Sequence, residues 1–187
     1  MAEPRLTLIG GGARSGKSAF ALELARSRGS RRVLLATAEP LDAEMAARIA
    51  EHQRTRGADF VTIEAPLQLP TALRTLRDTD VAVVDCLTLW LSNLLLAGGS
   101  TREVAAQVEA LAGSVAECCC PVVVVTSEVG MGLVPESALG RAFRDLAGGA
   151  HQRLALAADE IFLAVLGVVV RLRPAPLALA EGRPRCQ

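Results

Sequence analysis

The sequence predicts an α/β fold with a mostly parallel β-sheet and helices on both faces of the sheet. Runs of apolar, β-branched residues alternate with stretches of helical periodicity along the 187-residue chain. Several of these runs are apolar throughout, as expected of strands that are covered on both sides. Hydrophobic residues make up 51% of the chain, enough to form the core of one domain.

Each predicted element follows from a local pattern. Strands are predicted at residues 6–9, 32–37, 60–63, 81–85, 121–126 and 161–165, with a further strand at 168–172. Residues 18–28 form the first predicted helix. Asp42 is a suitable N-cap for a second helix that runs to about residue 56, in which Met45 and Ile49 are spaced four apart. Thr101 is expected to cap a third helix over residues 102–117.

The charge balance argues against nucleic-acid binding. The 20 basic and 20 acidic side chains give a formal net charge of zero, whereas a protein that holds nucleic acid by electrostatics needs a basic excess. Aromatic residues make up 3% of the chain and tyrosine is absent, so the stacking surfaces of single-strand binders are not expected.

Apolar runs are too short for a membrane span, which needs roughly 18 residues. The longest, residues 161–170, is β-branched and interrupted by Gly167, and we expect it to be a buried strand. Residues 1–5 lack the charged and apolar regions of a signal peptide. These features predict a cytoplasmic protein without a membrane span.

The five cysteines are expected to be structural. Cys118, Cys119 and Cys120 are adjacent, but we expect their side chains to point in different directions and not to form one metal site. No Cys-x-x-Cys pair or paired histidines accompany them, so they are expected to act as small buried hydrophobes. Residues 1–173 are predicted to form one domain, followed by a proline-rich tail at 174–187 that is extended or mobile.

A glycine-rich loop between the first strand and the first helix carries the strongest functional signal. It matches the phosphate-binding pattern G-x-x-x-x-G-K-[ST], with the residues Gly11, Gly12, Ala13, Arg14, Ser15, Gly16, Lys17 and Ser18. In such a loop, backbone N–H groups and the helix N-terminus bind phosphate oxygens. We expect Lys17 to reach the β- and γ-phosphates of a nucleoside triphosphate and the Ser18 hydroxyl to bind Mg²⁺. The sequence therefore predicts a P-loop NTPase domain of the RecA-like type.

A second Mg²⁺ ligand is expected at the end of another strand. Asp85 follows the apolar residues 81–84, and a carboxylate at the carboxyl end of a parallel strand lies at the phosphate crevice. A carboxylate that only caps the strand is the alternative interpretation. The P-loop by itself does not distinguish a kinase from a motor or a switch.

The predicted second helix carries one histidine among arginines. Arg48, His52 and Arg56 are spaced four apart and share one face, with Arg54 nearby. Guanidinium groups disfavour the cationic imidazole and bind phosphate oxygens, so His52 would be a neutral nucleophile for a phosphorus atom. A solvent-facing helix with scattered arginines is the competing interpretation.

Several motifs together resemble one known family. They are residues 11–18, 36–38, 42–49 with His52, 85–94, 128–136 and 144–145. From about residue 6 to residue 172, the chain resembles the bifunctional adenosylcobinamide kinase and adenosylcobinamide-phosphate guanylyltransferase family of cobalamin biosynthesis. The resemblance implies phosphorylation of the aminopropanol hydroxyl of adenosylcobinamide with ATP or GTP. Transfer of GMP from GTP onto that phosphate would follow, through a guanylylated histidine, giving adenosylcobinamide-GDP. Mg²⁺ and a homo-oligomer, a trimer in this family, are implied too.

The resemblance also implies roles for individual residues. It places the guanylylated histidine at His52, so that His52 and Lys17 are the expected catalytic residues. Nucleotide contacts are implied for the P-loop and for Ala36, Thr37, Ala38, Gln53, Arg54, Thr55, Arg56, Glu64 and Asp85. The acceptor of the hydroxyl proton stays open among Glu64, Asp85 and Glu128. Departures from the family pattern occur at Asp85, a glutamate in enteric members, and at Ser127 and His151, where asparagines are common.

Three other functions remain in competition at the level of sequence. A simple P-loop small-molecule kinase would use the same loop and Asp85 but would leave His52 dispensable. A RecA-like ATPase module with a role in assembly or nucleic-acid remodelling would show DNA-stimulated hydrolysis. A nucleotide-binding regulator would bind GTP without turnover.

Overall fold

A seven-stranded β-sheet runs through the centre of the protein, whose computed structural model describes residues 4–174 apart from the side chains of residues 48, 55 and 56. The strands are β1 (Leu6–Gly11), β2 (Arg32–Ala36), β3 (Val61–Glu64), β4 (Val81–Asp85), β5 (Val122–Val125), β6 (Glu160–Val165) and β7 (Val168–Arg173). Their order is β3-β2-β4-β5-β1-β6-β7, and every neighbouring pair is parallel except β6 with β7. The predicted mostly parallel α/β sheet is confirmed.

Helices lie on both faces of this sheet. They are α1 (Lys17–Arg28), α2 (Ala43–Arg56), α3 (Leu69–Thr75), α4 (Leu87–Leu96), α5 (Thr101–Glu117) and α6 (Ala138–Ala157). Residues of α3, α4, α5 and α6 form one core with one face of the sheet, and residues of α1 form a second core with the opposite face. Strand β5 serves both cores, because Val122 and Val124 point to the first and Val123 and Val125 to the second. This double burial explains why β5 consists of valine alone.

The loops that follow β1, β2, β4 and β5 leave from the same edge of the sheet, because these strands are parallel. The glycine-rich loop after β1 and the end of β4 therefore lie on one side of the domain. In an open parallel sheet, ligands bind in crevices at this carboxyl edge. The strand order also separates β1 from β4 by one strand, β5.

The expectation that residues 161–170 form one buried strand is wrong. Leu166 and Gly167 have positive φ angles of 52° and 77° and form a two-residue turn, so that Val165 pairs with Val168 in a hairpin. Strand β7 is consequently the edge of the sheet, and Leu166 at the turn is 95% exposed. The separate strand predicted at 168–172 is confirmed.

The predicted N-cap residue is correct for α2 and wrong for α5. The Asp42 side chain accepts a hydrogen bond from the Met45 backbone N–H, which confirms Asp42 as the N-cap of α2. The prediction that Thr101 caps α5 is wrong by one residue. Ser100 is the cap, because its hydroxyl accepts from the backbone N–H of Glu103 while the Glu103 carboxylate accepts from the backbone N–H of Ser100.

The prediction that the adjacent cysteines point in different directions is also wrong. The sulfurs of Cys118, Cys119 and Cys120 all lie within 4.8 Å of one another. The chain leaves α5 in an extended conformation at Cys118 and bends at the next two residues, which turns the three side chains toward each other. Cys118 and Cys120 are buried as expected, whereas Cys119 is exposed.

No helix within residues 4–174 has the length and apolar character needed to cross a bilayer. The proline-rich tail predicted from residue 174 onward lies, after Pro174, outside the described residues.

Candidate nucleotide-binding site

The glycine-rich loop joins β1 to α1 at the carboxyl edge of the sheet. A Cβ atom at Gly11 would lie 2.6 Å from the Ala164 carbonyl oxygen, so β1 and the neighbouring strand β6 leave no room for a side chain there. Gly16 has a φ of 91° and is the N-cap of α1, a left-handed conformation that favours glycine. The loop thus presents the free N–H groups of the first turn of α1 to the crevice, where they can bind phosphate oxygens.

Lys17 and Ser18 begin α1 directly after the loop. The Lys17 side chain is only 9% exposed, and its Nζ donates a hydrogen bond of 3.0 Å to the Gly12 carbonyl oxygen. Lys17 is also the only lysine in the chain. Its ammonium group is therefore held over the loop, which is the position that a triphosphate would require.

Ala36, Glu64 and Asp85 form a row across three neighbouring strands. Ala36 is the register partner of both Glu64 and Asp85, and each of the three is the last residue of its strand. Asp85 is half-buried and Glu64 is exposed. The structure therefore brings together three of the residues for which the sequence implied nucleotide contacts.

Thr37 connects the ends of β2 and β4. Its side chain is completely buried, and its hydroxyl donates to the Cys86 carbonyl oxygen and accepts from the Cys86 N–H, both at 2.8 Å. The Thr37 backbone N–H donates to the Asp85 carbonyl oxygen at 3.2 Å. These three hydrogen bonds hold the backbone of Asp85 and Cys86 against the end of β2. Ala38, the residue after Thr37, is half-buried.

A further group of polar side chains comes from the segment after β5 and from α6. The Thr126 hydroxyl and His151 Nε2 are 2.7 Å apart, and His151 Nδ1 lies 3.6 Å from Oε2 of Glu128. The Glu128 backbone N–H donates to the Gly11 carbonyl oxygen at 3.0 Å, and its Oε1 accepts from the Gly130 N–H at 2.6 Å. The backbone of Glu128 is thereby held at the first residue of the P-loop, while its carboxylate is oriented by the Gly130 N–H and His151.

Burial lowers the pKa of His151, and the charge of Glu128 partly opposes this effect. The lowered pKa favours the neutral imidazole at pH 7, which contacts the Thr126 hydroxyl from its place in α6. Its pairing with Thr126 could not be foreseen, because the two residues are 25 positions apart and meet only through the packing of α6 on the sheet. The one signal of this group in the sequence was the position of Glu128 just after an apolar strand.

Helix α2 places His52 differently from the P-loop residues. His52, Gln53 and Arg54 are exposed, and Arg54 forms an ion pair with Glu51 one turn earlier. Met45 and Ile49 are half-buried, as their spacing predicted, while every other described side chain of α2 is exposed. His52 therefore faces solvent on a helix that is only lightly anchored to the domain.

Comparison with protein families gives a match over nearly the whole described chain. The family model described as cobinamide kinase / cobinamide phosphate guanyltransferase matches residues 7–172. The bifunctional adenosylcobalamin biosynthesis protein CobU of Salmonella typhimurium (strain LT2) is 40% identical over 181 residues, covering 90% of this chain and 99% of the relative. The bifunctional adenosylcobalamin biosynthesis protein CobP of Pseudomonas aeruginosa is 41% identical over 171 residues, covering 91% and 98%.

Two solved structures resemble the fold. The RadB recombinase superposes with a TM-score of 0.50 at 18% identity, covering 86% of this chain and 74% of that one. An ATPase from the type III secretion system of pathogenic bacteria has a TM-score of 0.50 at 12% identity, covering 84% and 50%. At such low identity these likenesses show the RecA-like P-loop fold alone, as predicted.

Proposed function

From the premise that the chain belongs to the cobinamide kinase / cobinamide phosphate guanyltransferase family, we propose how its residues divide two reactions between them. The first reaction phosphorylates the aminopropanol hydroxyl of adenosylcobinamide with ATP or GTP. The second transfers GMP from GTP onto the new phosphate and gives adenosylcobinamide-GDP. A simple kinase and an ATPase module are not favoured. The relatives are named as bifunctional biosynthetic proteins, and the chain matches almost their whole length.

In the kinase reaction, the P-loop holds the triphosphate for in-line attack by the cobinamide hydroxyl. The N–H groups at the start of α1 bind the β- and γ-phosphates, and the Lys17 ammonium offsets the charge that develops on them. The observation that supports this role is the burial of Lys17 at the loop, with its Nζ on the Gly12 carbonyl oxygen. The bond from the γ-phosphorus to the β,γ-bridging oxygen breaks as the bond to the cobinamide oxygen forms.

The donor set of the site fits Mg²⁺. The Ser18 hydroxyl and the Asp85 carboxylate both lie at the carboxyl edge of the sheet, and hard oxygen ligands of this kind suit the ion together with phosphate oxygens and water. When bound, Mg²⁺ would neutralise charge on the phosphates. We assign its protein ligands to Ser18 and Asp85.

We assign the acceptor of the hydroxyl proton to Glu128. Of the three carboxylates considered, Glu128 is the one whose backbone N–H is hydrogen-bonded to the P-loop residue Gly11. His151, which is hydrogen-bonded to Thr126, lies near Oε2 of Glu128, while the Gly130 N–H donates to Oε1. These contacts orient the carboxylate, and we assign His151 the role of a positioning residue.

In the transferase reaction, the imidazole of His52 attacks the α-phosphorus of GTP. A phosphorus–nitrogen bond forms, the bond to the α,β-bridging oxygen breaks, and pyrophosphate leaves. A phosphate oxygen of adenosylcobinamide phosphate then attacks the same phosphorus, and the imidazole is released. The contacts proposed for the guanine nucleotide are Ala36, Thr37, Ala38, Gln53, Arg54, Thr55, Arg56, Glu64 and Asp85, in addition to the P-loop. The row formed by Ala36, Glu64 and Asp85 is the geometric support for this set.

The single observation that carries the proposal is the P-loop with its buried lysine at the same edge of the sheet as that row, in a chain that the family model matches from residue 7 to residue 172. We also propose the homo-oligomer, the cytoplasmic location and the domain boundary near residue 173.

The test uses GTP labelled at the α-phosphate, incubated with the protein and Mg²⁺ without corrinoid. A bond that is labile in acid and stable in alkali joins phosphorus to nitrogen, and the chain offers two histidines, His52 and His151, and one lysine, Lys17, besides its arginines, so the variants decide which residue is labelled. We expect labelling of the unaltered chain and of His151→Asn, and none of His52→Ala. Labelled His52→Ala, or an unlabelled chain that still binds GTP, would contradict the proposed covalent step.

A further inference from the structure

The three adjacent cysteines lie at the edge of the sheet opposite the nucleotide site. They connect α5 to β5, whose first residue, Val122, is the register partner of Leu6, the first residue of β1. The P-loop begins at the other end of β1, about 16 Å away by the rise of a strand. The cluster is therefore separate from the phosphate-binding edge, and neither proposed reaction uses it.

The spacing of the sulfurs is close to that of a metal–thiolate centre. The sulfurs of Cys118 and Cys120 are 3.8 Å apart, and all three sulfurs lie within 4.8 Å of one another. Thiolates bound at about 2.3 Å to one ion would be about 3.8–4.0 Å apart in tetrahedral or trigonal geometry. A shift of less than about 1 Å in one side chain would complete such a centre.

The surroundings hold the cluster in place and leave one side open. The guanidinium group of Arg5 donates to the carbonyl oxygens of Ala116 and Cys118, at 3.1 and 2.8 Å, and so fixes the end of α5. The Cys119 thiol lies 3.4 Å from the Leu76 carbonyl oxygen on the neighbouring helix end. Cys118 and Cys120 are 3% and 5% exposed, whereas Cys119 is open to solvent. Two ligands are thus buried and the third gives an ion access.

Within residues 4–174, no histidine or carboxylate completes this group of three sulfurs. Thiolates bind Cu(I), Zn²⁺ and iron–sulfur clusters, but Zn²⁺ in structural sites takes four protein ligands, so a group of three sulfurs fits Cu(I) better than structural Zn²⁺. We propose that Cys118, Cys119 and Cys120 form a binding site for one soft, thiophilic metal ion of the Cu(I) class, coordinated by three sulfurs. Binding deprotonates the thiols and releases their protons to solvent.

The experiment titrates the full, reduced chain with Cu(I) under anaerobic conditions, in competition with a Cu(I) chelator. We expect one Cu(I) per chain, with copper–sulfur distances of about 2.3 Å by X-ray absorption. Cys119→Ser removes an exposed ligand without disturbing the core, and should weaken Cu(I) binding about tenfold or more. Cys186→Ser, a change at a cysteine that is remote from these three in the sequence, is the control and should leave Cu(I) binding unchanged.

Two results would overturn the inference. One is Cys119→Ser retaining Cu(I) as tightly as the unaltered chain. The other is a preference of the unaltered chain for Zn²⁺ over Cu(I) when both compete under the same conditions. GTP binding, measured on the same samples, should be equal in all variants, because the cluster lies at the other edge of the sheet. The result of the Cu(I) titration is consequently independent of whether the proposed kinase and transferase reactions are correct.

Discussion

The P-loop and helix α2 carry the two proposed reaction centres, and the fold holds them to very different degrees. Gly11 is pressed against Ala164 of the neighbouring strand, and Lys17 is 9% exposed with its ammonium on a loop carbonyl oxygen. Along α2, by contrast, Met45 and Ile49 are the only described side chains that are even half-buried. The phosphate-binding edge is preorganised by the sheet, whereas His52 lies on an element whose position few contacts determine.

This difference suggests how one domain performs both reactions. In the proposed reactions, the γ-phosphorus must meet a hydroxyl at the P-loop, while the α-phosphorus must meet His52. A rigid edge suits the first requirement, since in-line phosphoryl transfer depends on positioning. A lightly anchored helix suits the second, because no described side chain of α2 is fully buried and would resist an approach to the nucleotide. The comparison therefore predicts that substitution of the phosphate-binding lysine affects both reactions and that substitutions on α2 affect only one.

The largest effect is expected for Lys17→Ala. Loss of the ammonium should lower both phosphorylation and GMP transfer by about 10²- to 10³-fold, because both reactions bind a triphosphate at the P-loop. The measurement is the rate of each half-reaction, with Lys17→Arg as the charge-retaining control. Because Lys17 is the only lysine, protection of its side chain from an amine-directed reagent by GTP gives a second readout. Unchanged GMP transfer in Lys17→Ala would show that the two reactions do not share the loop.

A smaller and one-sided effect is expected for Glu128→Gln. Loss of the proton acceptor should slow phosphorylation by about 10²-fold, at the low end for a general base because the transition state is loose. Labelling of His52 by GTP should not change. The matched control is Glu136→Gln, an exposed carboxylate eight positions further along the same loop. Equal slowing in the two variants would remove Glu128 from its assigned role.

A modest effect, confined to the transferase, is expected for Asp42→Ala. Removal of this N-cap should destabilise the start of α2 by about 1 kcal/mol. Helix α2 carries His52 but no P-loop residue, so GMP transfer should fall a fewfold while phosphorylation stays constant. Ser100→Ala removes the corresponding cap of α5, which lies away from the site, and serves as the control. A parallel loss of both activities in Asp42→Ala would mean that α2 is coupled to the P-loop.

The smallest effect concerns the pH dependence of stability through His151. Its pKa is lowered by burial, so the unfolded chain binds the proton at a higher pH than the folded chain does. The contribution of the neutral His151 to the free energy of unfolding is fully present above pH 6.5. It is lost as the pH falls through the lower, folded pKa. In urea unfolding at pH 8 and pH 5.5, His151→Asn should lose less stability on acidification than the unaltered chain. An equal loss would show that His151 is not held neutral.

Sequence reasoning was most successful where local patterns determine structure. The all-valine strand β5, the glycine-rich loop and the cap at Asp42 each follow from residues that are neighbours in the chain. It failed where the decisive contact comes from packing or from a subtle change of backbone direction. Examples are the hairpin at Leu166 and the convergence of three consecutive cysteines after α5.

The candidate site shows the same division. The P-loop residues could be identified individually because their spacing is itself the motif. The row of Ala36, Glu64 and Asp85 requires the strand order, which the sequence does not give, and it appears only in the register of β2 with β3 and β4. The contact between Thr126 and His151 requires in addition the packing of α6.

The most direct test of the account is the ratio of the two activities in His52→Ala. We predict that phosphorylation of adenosylcobinamide by GTP continues at a rate close to that of the unaltered chain, while transfer of GMP to adenosylcobinamide phosphate is abolished. That result would place the nucleophile on the lightly anchored helix and leave the P-loop edge intact. Retention of GMP transfer, or loss of both activities in a variant that still folds and binds GTP, would contradict the separation of the two centres.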